Sequence, residues 1–360
     1  MKNKKKKSLW YLCAGISNGR SPKAEVEGLL ISAASDCKNP RSIQQTKEMM
    51  SHVSPKHRMT DSGGFQILTA DKKGITMTFD PERPLSITKK CFNLAPLHVV
   101  EKAMEMKADS MVALDFPIRK IKDHDERERE FRQKLPQNVT WAIETARLRK
   151  DLCPDISLFI PVQAYDLRQF EEFYGRIYGI DFDGFSLPVR NMSMKDIAAF
   201  LLKIHKWGIK KVHILGSSSL PTISVCAYMS QGFFDWVSFD ATTWRVSAQY
   251  GTFIHPYDLS SKKLHKVGSY DPHYCCYCKS CEGRTLGQLA SMDRKERMAI
   301  LMTHNYLAIR NLSREFGEAV VDSQYLEKRL KRSKRRDIKR ILRCMSEIET
   351  MCSMSYGKAA

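Results

Sequence analysis

The chain has 360 residues, of which 42% are hydrophobic, so it is long enough for one large α/β barrel or for two ordinary domains. Its formal net charge of +19 predicts a polyanionic partner, most simply nucleic acid, and says nothing about the fold. The 11 cysteines exclude a secreted disulfide framework, because four fall within residues 275–281 and the others are scattered, and they indicate a reduced, cytoplasmic compartment with one metal cluster.

The chain begins with a basic segment. Residues 1–7 hold five lysines and resemble the start of a signal peptide, but the apolar stretch that follows is short and is broken by Ser8. We therefore predict a basic N-terminal arm that leads into a first strand. No run of 18 apolar residues follows, so no transmembrane helix and no membrane partner are expected.

Short apolar runs then alternate with amphipathic, charged segments. The predicted strands are residues 9–16, 28–34, 110–116, 157–163, 184–189, 211–216 and 236–240. The predicted helices between them are residues 95–107, 140–150, 167–178, 193–207 and 222–231. This alternation, over about 240 residues, predicts a parallel sheet with helices packed against it.

Polar residues lie at or just past the ends of several predicted strands, namely Asp115, Gln163, Arg190, Ser217 and Asp240. Active sites of (β/α)₈ barrels are built at the carboxyl ends of the strands. An open doubly wound sheet would also place ligands there, but no Gly-x-Gly-x-x-Gly follows the first strand. We predict an α/β fold, a (β/α)₈ TIM barrel.

Residues 117–137 are highly charged and are predicted as a solvated loop with the start of a helix. The alternation of strands and helices ends after residue 251. Residues 252–285 are predicted as loops, and residues 292–316 and 323–350 as long helices. The predicted divisions are a basic arm at 1–8, a catalytic barrel region at 9–270, a zinc-binding subdomain at 271–312 and a basic helical segment at 313–360.

The cysteine cluster has the spacing of a metal site. Cys276, Cys278 and Cys281 precede His304 by up to 28 residues, and three thiolates with an imidazole suit a tetrahedral, structural Zn²⁺. His273 is an alternative fourth ligand. Cys275 is adjacent, but its side chain would point away if Cys276 binds the metal.

Residues 60–66, with the sequence TDSGGFQ, carry an acid, a hydroxyl, two glycines and an aromatic ring. A surface Asx-type turn would explain them. Paired glycines also suit a turn in which the backbone comes close to a ligand. A second acid, Asp240, ends the apolar run from Trp236, and a carboxylate there is costly unless it lies in a site or is paired.

These motifs resemble the tRNA-guanine transglycosylase family, whose enzymes exchange guanine for a 7-deazaguanine. The resemblance rests on Asp-Ser-Gly-Gly-Phe-Gln at residues 61–66, on Phe239-Asp240-Ala241 and on the Cys-x-Cys-x₂-Cys…His arrangement. It spans about residues 55–310 and implies a pentosyltransferase with a structural zinc site.

The resemblance implies that Asp240 is the nucleophile and Asp61 the general acid and base. Replacement of a base with retention of configuration needs a carboxylate nucleophile and a second carboxyl group that moves protons. Asp240 would form a covalent glycosyl enzyme. Asp235 competes for the nucleophile's position, but Ala241 and Gly251 match the family pattern only if Asp240 is chosen.

The family pattern also implies the residues that bind the base. Asp115 would accept hydrogen bonds from the guanine edge, Gln163 would donate to O6, and Phe65 would stack on the ring. The other substrate-binding residues implied by the resemblance are Ser62, Gly63 and Val189.

The chain departs from the tRNA enzymes around this site. The Gly-Gly-Leu loop of the family is replaced by residues 188–190 (PVR), its methionine by Leu215, and the arginine-containing run after the nucleophile by residues 244–249 (WRVSAQ). Asp115-Phe116-Pro117 is closer to the archaeal form, whose substrate is preQ₀, but the archaeal type of RNA-binding domain is absent. This combination resembles the DNA-acting branch of the family.

Nine of the 13 residues from 328 to 340 are basic, which suits phosphate contact, although a solvated helix face would show the same pattern. The predicted nucleic-acid-binding residues are Arg245, Lys331, Arg332, Lys334, Arg335 and Arg336. We predict an enzyme that inserts a free base such as preQ₀ into DNA. The alternatives are a tRNA enzyme, a non-catalytic nucleic-acid-binding subunit and a hydrolytic DNA glycosylase; accessory proteins and a homodimer stay open.

Overall fold

The computed structural model describes residues 9–16, 21–35, 53–64, 67–68, 77–80, 83–87, 93–189 and 192–356. The strands in this part of the chain are β1 (Leu9–Ala14), β2 (Gly28–Ser32), β3 (His57–Asp61), β4 (Met77–Asp80), β5 (Arg83–Ile87), β6 (Asn93–Leu94), β7 (Ser110–Val112), β8 (Ser157–Pro161), β9 (Gly184–Pro188), β10 (Lys211–Leu215), β11 (Trp236–Ala241), β12 (Thr252–Ile254) and β13 (Ser261–Lys263). The α-helices are α1 (Pro96–Glu105), α2 (His124–Leu152), α3 (Leu167–Ile177), α4 (Met194–Lys206), α5 (Leu220–Met229), α6 (Thr243–Gln249), α7 (Leu286–Ser291), α8 (Arg294–Glu318), α9 (Ser323–Leu330) and α10 (Ile338–Tyr356).

Eight of the strands form a closed barrel in the order β1-β11-β10-β9-β8-β7-β3-β2. Within it, β1 runs parallel to β11, with Leu12 opposite Asp240, and β2 runs parallel to β3, with Ser32 opposite Asp61. Helices follow most of these strands along the chain. The predicted (β/α)₈ barrel is therefore confirmed.

Most of the barrel strands are largely apolar because strands of a parallel barrel are covered on both faces. In β1, five of the six residues are buried, and in β9 four of the five are buried. β3 was not among the predicted strands. Its sequence, HRMTD, is polar, and only Met59 and Thr60 are buried. It therefore lacks the continuous apolar run that predicts the other strands.

The chain divides into two compact units. One comprises Gly28–Asn191 and Lys206–Leu215. Its core includes an aromatic cluster in which Tyr174 stacks on Trp207 with ring centroids 3.9 Å apart, and Phe170 meets the same indole edge-on. A small antiparallel sheet, in the order β4-β5-β6, belongs to the same unit.

The other unit comprises Met1–Glu27, Met192–His205 and Gly216–Ala360. Its centre is the long helix α8, and the buried Asn305 of this helix bonds three backbone groups. The Asn305 side chain accepts from Ile254 N at 2.9 Å and donates to the carbonyls of Thr252 at 3.0 Å and Trp244 at 3.3 Å. The helix thereby fixes both β12 and the short α6.

Helix α2 is longer than predicted, because the segment expected to be a loop is helical from His124 onward. The Asp123 side chain caps this helix by accepting from Glu126 N at 2.8 Å. Two acidic residues lie in the first turn, where their negative charges interact favourably with the positive end of the helix dipole. The charge-rich pattern at 117–137 therefore belongs largely to an exposed helical face.

The predicted single helix at 323–350 is wrong, because it is divided into α9 and α10 by a turn at residues 331–337. Two side chains of this turn bind the loop after β12. The Ser333 hydroxyl donates to the Asp258 carboxylate, and Arg335 donates to the Asp258 carbonyl at 3.0 Å. None of the helices in the described part of the chain is long and apolar enough to span a membrane.

Candidate active site and zinc centre

The turn that follows β3 is held by its own side chains. Gly63 N donates to the Asp61 carboxylate at 2.8 Å, and Gly64 N donates to the Ser62 hydroxyl at 3.1 Å. These are the hydrogen bonds of an Asx-type turn. However, the turn is not a surface feature, since Ser62, Gly63 and Gly64 are buried.

Both glycines of the turn are required by close contacts. Gly63 has a φ of +79°, and a Cβ atom there would lie 2.4 Å from the Cβ of Ala34. A Cβ atom on Gly64 would lie 2.7 Å from Oδ1 of Asp115. The glycine pair thus brings the turn against a buried carboxyl group.

Asp115 is 4% exposed, and both of its oxygens accept hydrogen bonds. The Ser62 hydroxyl donates to Oδ1 at 2.5 Å, and the Gln163 amide donates to Oδ2 at 2.5 Å. Burial raises the pKa of Asp115 to about 7, with a further rise from nearby Asp61, against the lowering effects of the two hydrogen bonds. The group can therefore change its charge near neutral pH.

Gln163 is fixed at both ends of its amide. Its Oε1 accepts from Ile118 N at 3.0 Å, so the Nε2 group faces Asp115. Ser62, Gly63, Asp115 and Gln163 are thus brought together, while Val189 is buried at the end of β9. Phe65, Arg190 and the basic arm at 1–8 lie outside the described residues.

A buried charge network supports the loop after Asp115, and no motif in the sequence predicts it. Lys134 donates to the Glu130 carboxylate and to the Pro117 carbonyl, each at 2.7 Å. The Tyr165 hydroxyl donates to Glu130 at 2.8 Å and lies 2.9 Å from the Arg119 carbonyl. The only local signal was the i,i+4 spacing of Glu130 and Lys134, which any exposed helix can show.

Asp240 lies near the carboxyl end of β11 and is 6% exposed. Its Oδ1 accepts from Gly216 N at 2.7 Å, which fixes the carboxyl group at the end of the strand. Asp235, the alternative, is exposed and precedes β11. Sites of (β/α)₈ barrels lie at the carboxyl ends of strands, so the geometry favours Asp240.

Two residues of α6, the helix that follows this strand, bond to the end of β1. The Trp244 indole N–H donates to the Ala14 carbonyl at 3.0 Å, and the Arg245 guanidinium donates to the Gly15 carbonyl at 2.8 Å. Trp244 is fully buried and Arg245 is partly buried. This contact gives Arg245 a structural partner, and its contact with nucleic acid stays a prediction.

Cys276, Cys278, Cys281 and His304 form a zinc site, with their ligand atoms all within 4.8 Å of one another. The three sulfurs lie 3.5, 3.4 and 3.5 Å from Nδ1 of the histidine. Zn–S bonds of ~2.3 Å and a Zn–N bond of ~2.0 Å at tetrahedral angles place sulfur and nitrogen about 3.5 Å apart. The predicted structural Zn²⁺ fits these four residues.

The surroundings of His304 fix it as a ligand. Its Nε2 lies 2.9 Å from the Ile254 carbonyl, which selects the tautomer with Nδ1 facing the sulfurs, and its ring stacks on Phe253 with centroids 3.9 Å apart. His273 and Cys275 do not belong to the cluster in the described part of the chain. Four protein ligands leave no open position, so the site is structural.

The basic residues after α9 fall into two groups. Lys331, Arg332, Lys334 and Arg336 are exposed and form no ion pair with another described residue. Arg335, in contrast, is half-buried and holds the Asp337 carboxylate with two hydrogen bonds, of 2.9 and 2.7 Å. The first group is available for phosphate, whereas Arg335 is committed to the turn.

The chain is similar over residues 36–337 to a family described as Queuine tRNA-ribosyltransferase. This range includes Asp61, Asp115, Gln163 and Asp240, and it also includes the zinc ligands. No curated protein matches the chain.

Proposed function

We propose, because this chain belongs to the queuine tRNA-ribosyltransferase family, that it replaces guanine in DNA by a 7-deazaguanine such as preQ₀. Membership in the family makes it a transglycosylase, an enzyme of the pentosyltransferase class that acts on nucleic acid and a free base. The choice of DNA and the identity of the base are our proposal. The observation that carries the proposed exchange of a guanine-like base is the buried Asp115, with Ser62 and Gln163 bonded to its two oxygens.

The proposed reaction has two halves. In the first, the Asp240 carboxylate bonds to C1′ of the nucleotide as the C1′–N9 bond of guanine breaks, and a proton from Asp61 neutralises the departing base. In the second, Asp61 removes a proton from the incoming deazaguanine, whose nitrogen bonds to C1′ and releases Asp240. Hydrogen bonds from Gly63 N and Gly216 N orient the two carboxylates separately.

Recognition of the base follows from the chemistry of the Asp115 pocket. A carboxylate accepts hydrogen bonds, and each of its oxygens has acceptor capacity beyond the bond it already receives. The N1–H and 2-amino groups of guanine and of 7-deazaguanines are donors that suit it. Gln163 would donate to O6, Phe65 would stack on the ring, and Ser62, Gly63 and Val189 would line the site.

Two features support DNA as the polymer. The arginine-containing run of the tRNA enzymes is replaced by residues 244–249, of which Trp244 is buried and Arg245 is bonded to the Gly15 carbonyl just after β1. The net charge of +19, and the four basic residues at 331–336 that form no ion pair with another described residue, suit binding to a phosphate backbone.

The test is incorporation of labelled guanine and labelled preQ₀ into DNA and into tRNA, side by side. We expect label in DNA, no label with Asp240→Asn, and normal incorporation with Asp235→Ala, which removes an exposed acid from the start of the same strand. Asp61→Asn should also abolish exchange.

Label in tRNA alone would make the chain a tRNA enzyme, as the description of the family suggests. Exchange that survives in Asp240→Asn and is lost in Asp235→Ala would move the nucleophile to Asp235. Release of guanine without incorporation of a new base would instead indicate a hydrolytic glycosylase.

A further inference from the structure

A cavity of about 500 Å³ lies in the unit that contains the carboxyl-terminal helices, and none of the four zinc ligands lines it. It is formed by the loop from β10 to α5, by the loop before β13 and by the turn between α9 and α10. Its apolar residues include Ile254, Leu259 and Ile309. The polar residues that line it are Ser217, Ser218, Ser219, Thr243, Ser260, Ser261, Arg335, Arg336 and Asp337.

One of the three consecutive serines in this cavity has no hydrogen-bond partner in the described part of the chain. The hydroxyls of Ser217 and Ser219 each lie 2.8 Å from the Thr222 hydroxyl. Ser218 is 5% exposed, lines the cavity, and its Oγ has no hydrogen-bond partner among the described residues. A buried hydroxyl left unbonded costs ~1–3 kcal/mol, so its presence points to a ligand that bonds it.

The same loop leads into the amino end of α5, a helix of ten residues. The helix dipole places partial positive charge at that end. In the first turn, Pro221 has no N–H and Thr222 N donates to the Ser219 hydroxyl at 3.3 Å, so the helix contributes mainly through its dipole. A partial positive charge beside the Ser218 hydroxyl suits an anion rather than a cation.

The charges around the cavity agree with an anion. Asp337 is neutralised by its two hydrogen bonds with Arg335, which itself lines the cavity. Arg336 is exposed, lines the cavity and forms no ion pair with another described residue, so its charge is uncompensated. Asp337, Arg335 and Arg336 together carry a net charge of about +1, in the same cavity lining as the Ser218 hydroxyl.

We infer that this cavity binds one phosphate of the nucleic-acid backbone, through Ser218, Arg336 and the amino end of α5. The inference rests on the proposed function for the identity of the polymer. Part of the lining, residues 216–220 and Thr243, follows the seventh and eighth strands of the barrel in chain order, β10 and β11, and many (β/α)₈ barrels hold phosphate at the loops after these strands. A phosphate bound there would fix the position of the strand whose base is exchanged.

The test compares the wild type with Ser218→Ala and Arg336→Gln for binding of a labelled oligonucleotide at several salt concentrations. Ser218→Ala should weaken binding several-fold while leaving the melting temperature unchanged or higher, because it removes an unbonded buried hydroxyl. Arg336→Gln should lower the slope of log affinity against log salt by about 0.7–0.9, the value for one lost phosphate contact.

Two control variants separate the site from general effects. Ser186→Ala removes another buried hydroxyl that has no partner among the described residues, in β9 and outside the cavity, and should not change affinity. Arg332→Gln removes an exposed charge that forms no ion pair with another described residue and does not line the cavity. This variant should weaken binding less than Arg336→Gln. Inorganic phosphate should compete with the oligonucleotide in the wild type but not in Ser218→Ala.

Normal affinity and salt slope in Ser218→Ala and Arg336→Gln, in a protein that exchanges bases, would overturn the phosphate site and leave the proposed function intact. Equal losses in Arg332→Gln and Arg336→Gln, with Ser218→Ala unchanged, would overturn it as well and assign the effect to net charge. A wild type that neither binds nucleic acid nor exchanges bases would overturn both proposals.

Discussion

Ser218 and Asp115 are both buried polar residues, but their surroundings differ. Asp115 accepts a hydrogen bond on each oxygen, which offsets part of the cost of burying a carboxyl group. Ser218 has no partner among the described residues, so the full cost of its burial persists in the free protein. We propose that Asp115 binds the base and that Ser218 binds a backbone phosphate.

The raised pKa of Asp115 predicts pH-dependent binding of the free base. Burial holds this pKa at about 7, and only the deprotonated carboxylate can accept both donors of guanine. The affinity for guanine or preQ₀ should therefore fall about tenfold between pH 8 and pH 6. Calorimetric titration across this range measures it. Asp115→Asn should bind weakly at every pH, and an unchanged pH profile in that variant would remove Asp115 from base recognition.

The position of Gly64 leaves no room for a side chain. In Gly64→Ala, the new methyl group would meet Oδ1 of Asp115 at 2.7 Å and Cγ of Pro117 at 2.8 Å, so the turn must shift. Base exchange should fall by at least tenfold with the barrel still folded. Gly175→Ala is the matched control, because it meets open space within α3 and should stabilise the protein by ~0.5–1 kcal/mol. Activity assays and melting curves of both variants test the prediction.

At the scale of elements, the zinc site ties an irregular loop to a helix and to a strand. The three cysteines lie in irregular chain after β13, while His304 lies within α8. His304 also contacts the β12 carbonyl of Ile254, so the metal fixes the loop, the helix and the strand at one point. Metal binding therefore contributes directly to folding of this region.

Loss of a zinc ligand should destabilise the protein. Cys278→Ser, or removal of zinc by a chelator, should lower the melting temperature markedly, since structural zinc sites contribute ~10–16 kcal/mol of binding free energy. Cys275→Ser changes a neighbouring thiol outside the cluster and should melt as the wild type does. Equal melting of wild type, Cys275→Ser and Cys278→Ser would contradict a structural zinc.

At the scale of the whole molecule, the sequence predicts features that depend on residues close together along the chain. The strand pattern and the cysteine spacing are of this kind, and the barrel and the zinc site agree with the structure. The network of Glu130 and Tyr165 joins residues 35 positions apart, and no pattern in the sequence links them.

The phosphate cavity was missed for a similar reason. It depends on the turn at residues 331–337, where Ser333 and Arg335 bind Asp258, 75 and 77 residues earlier in the chain. Helical periodicity alone predicts that this segment continues α9. No local pattern shows that its side chains have a distant partner. Competition from such tertiary contacts overrode the helical propensity.

The closure of the barrel also has a consequence for how the chain is made. The Ala14 carbonyl receives the Trp244 indole only after 230 further residues have been added, and one edge of β1 stays open until β11 emerges. At ~5–20 residues per second, a nascent chain waits on the order of 10–50 s for this strand pair. During that interval an apolar strand edge is exposed on the ribosome, and this is when the newborn protein is most open to mispairing and to chaperones.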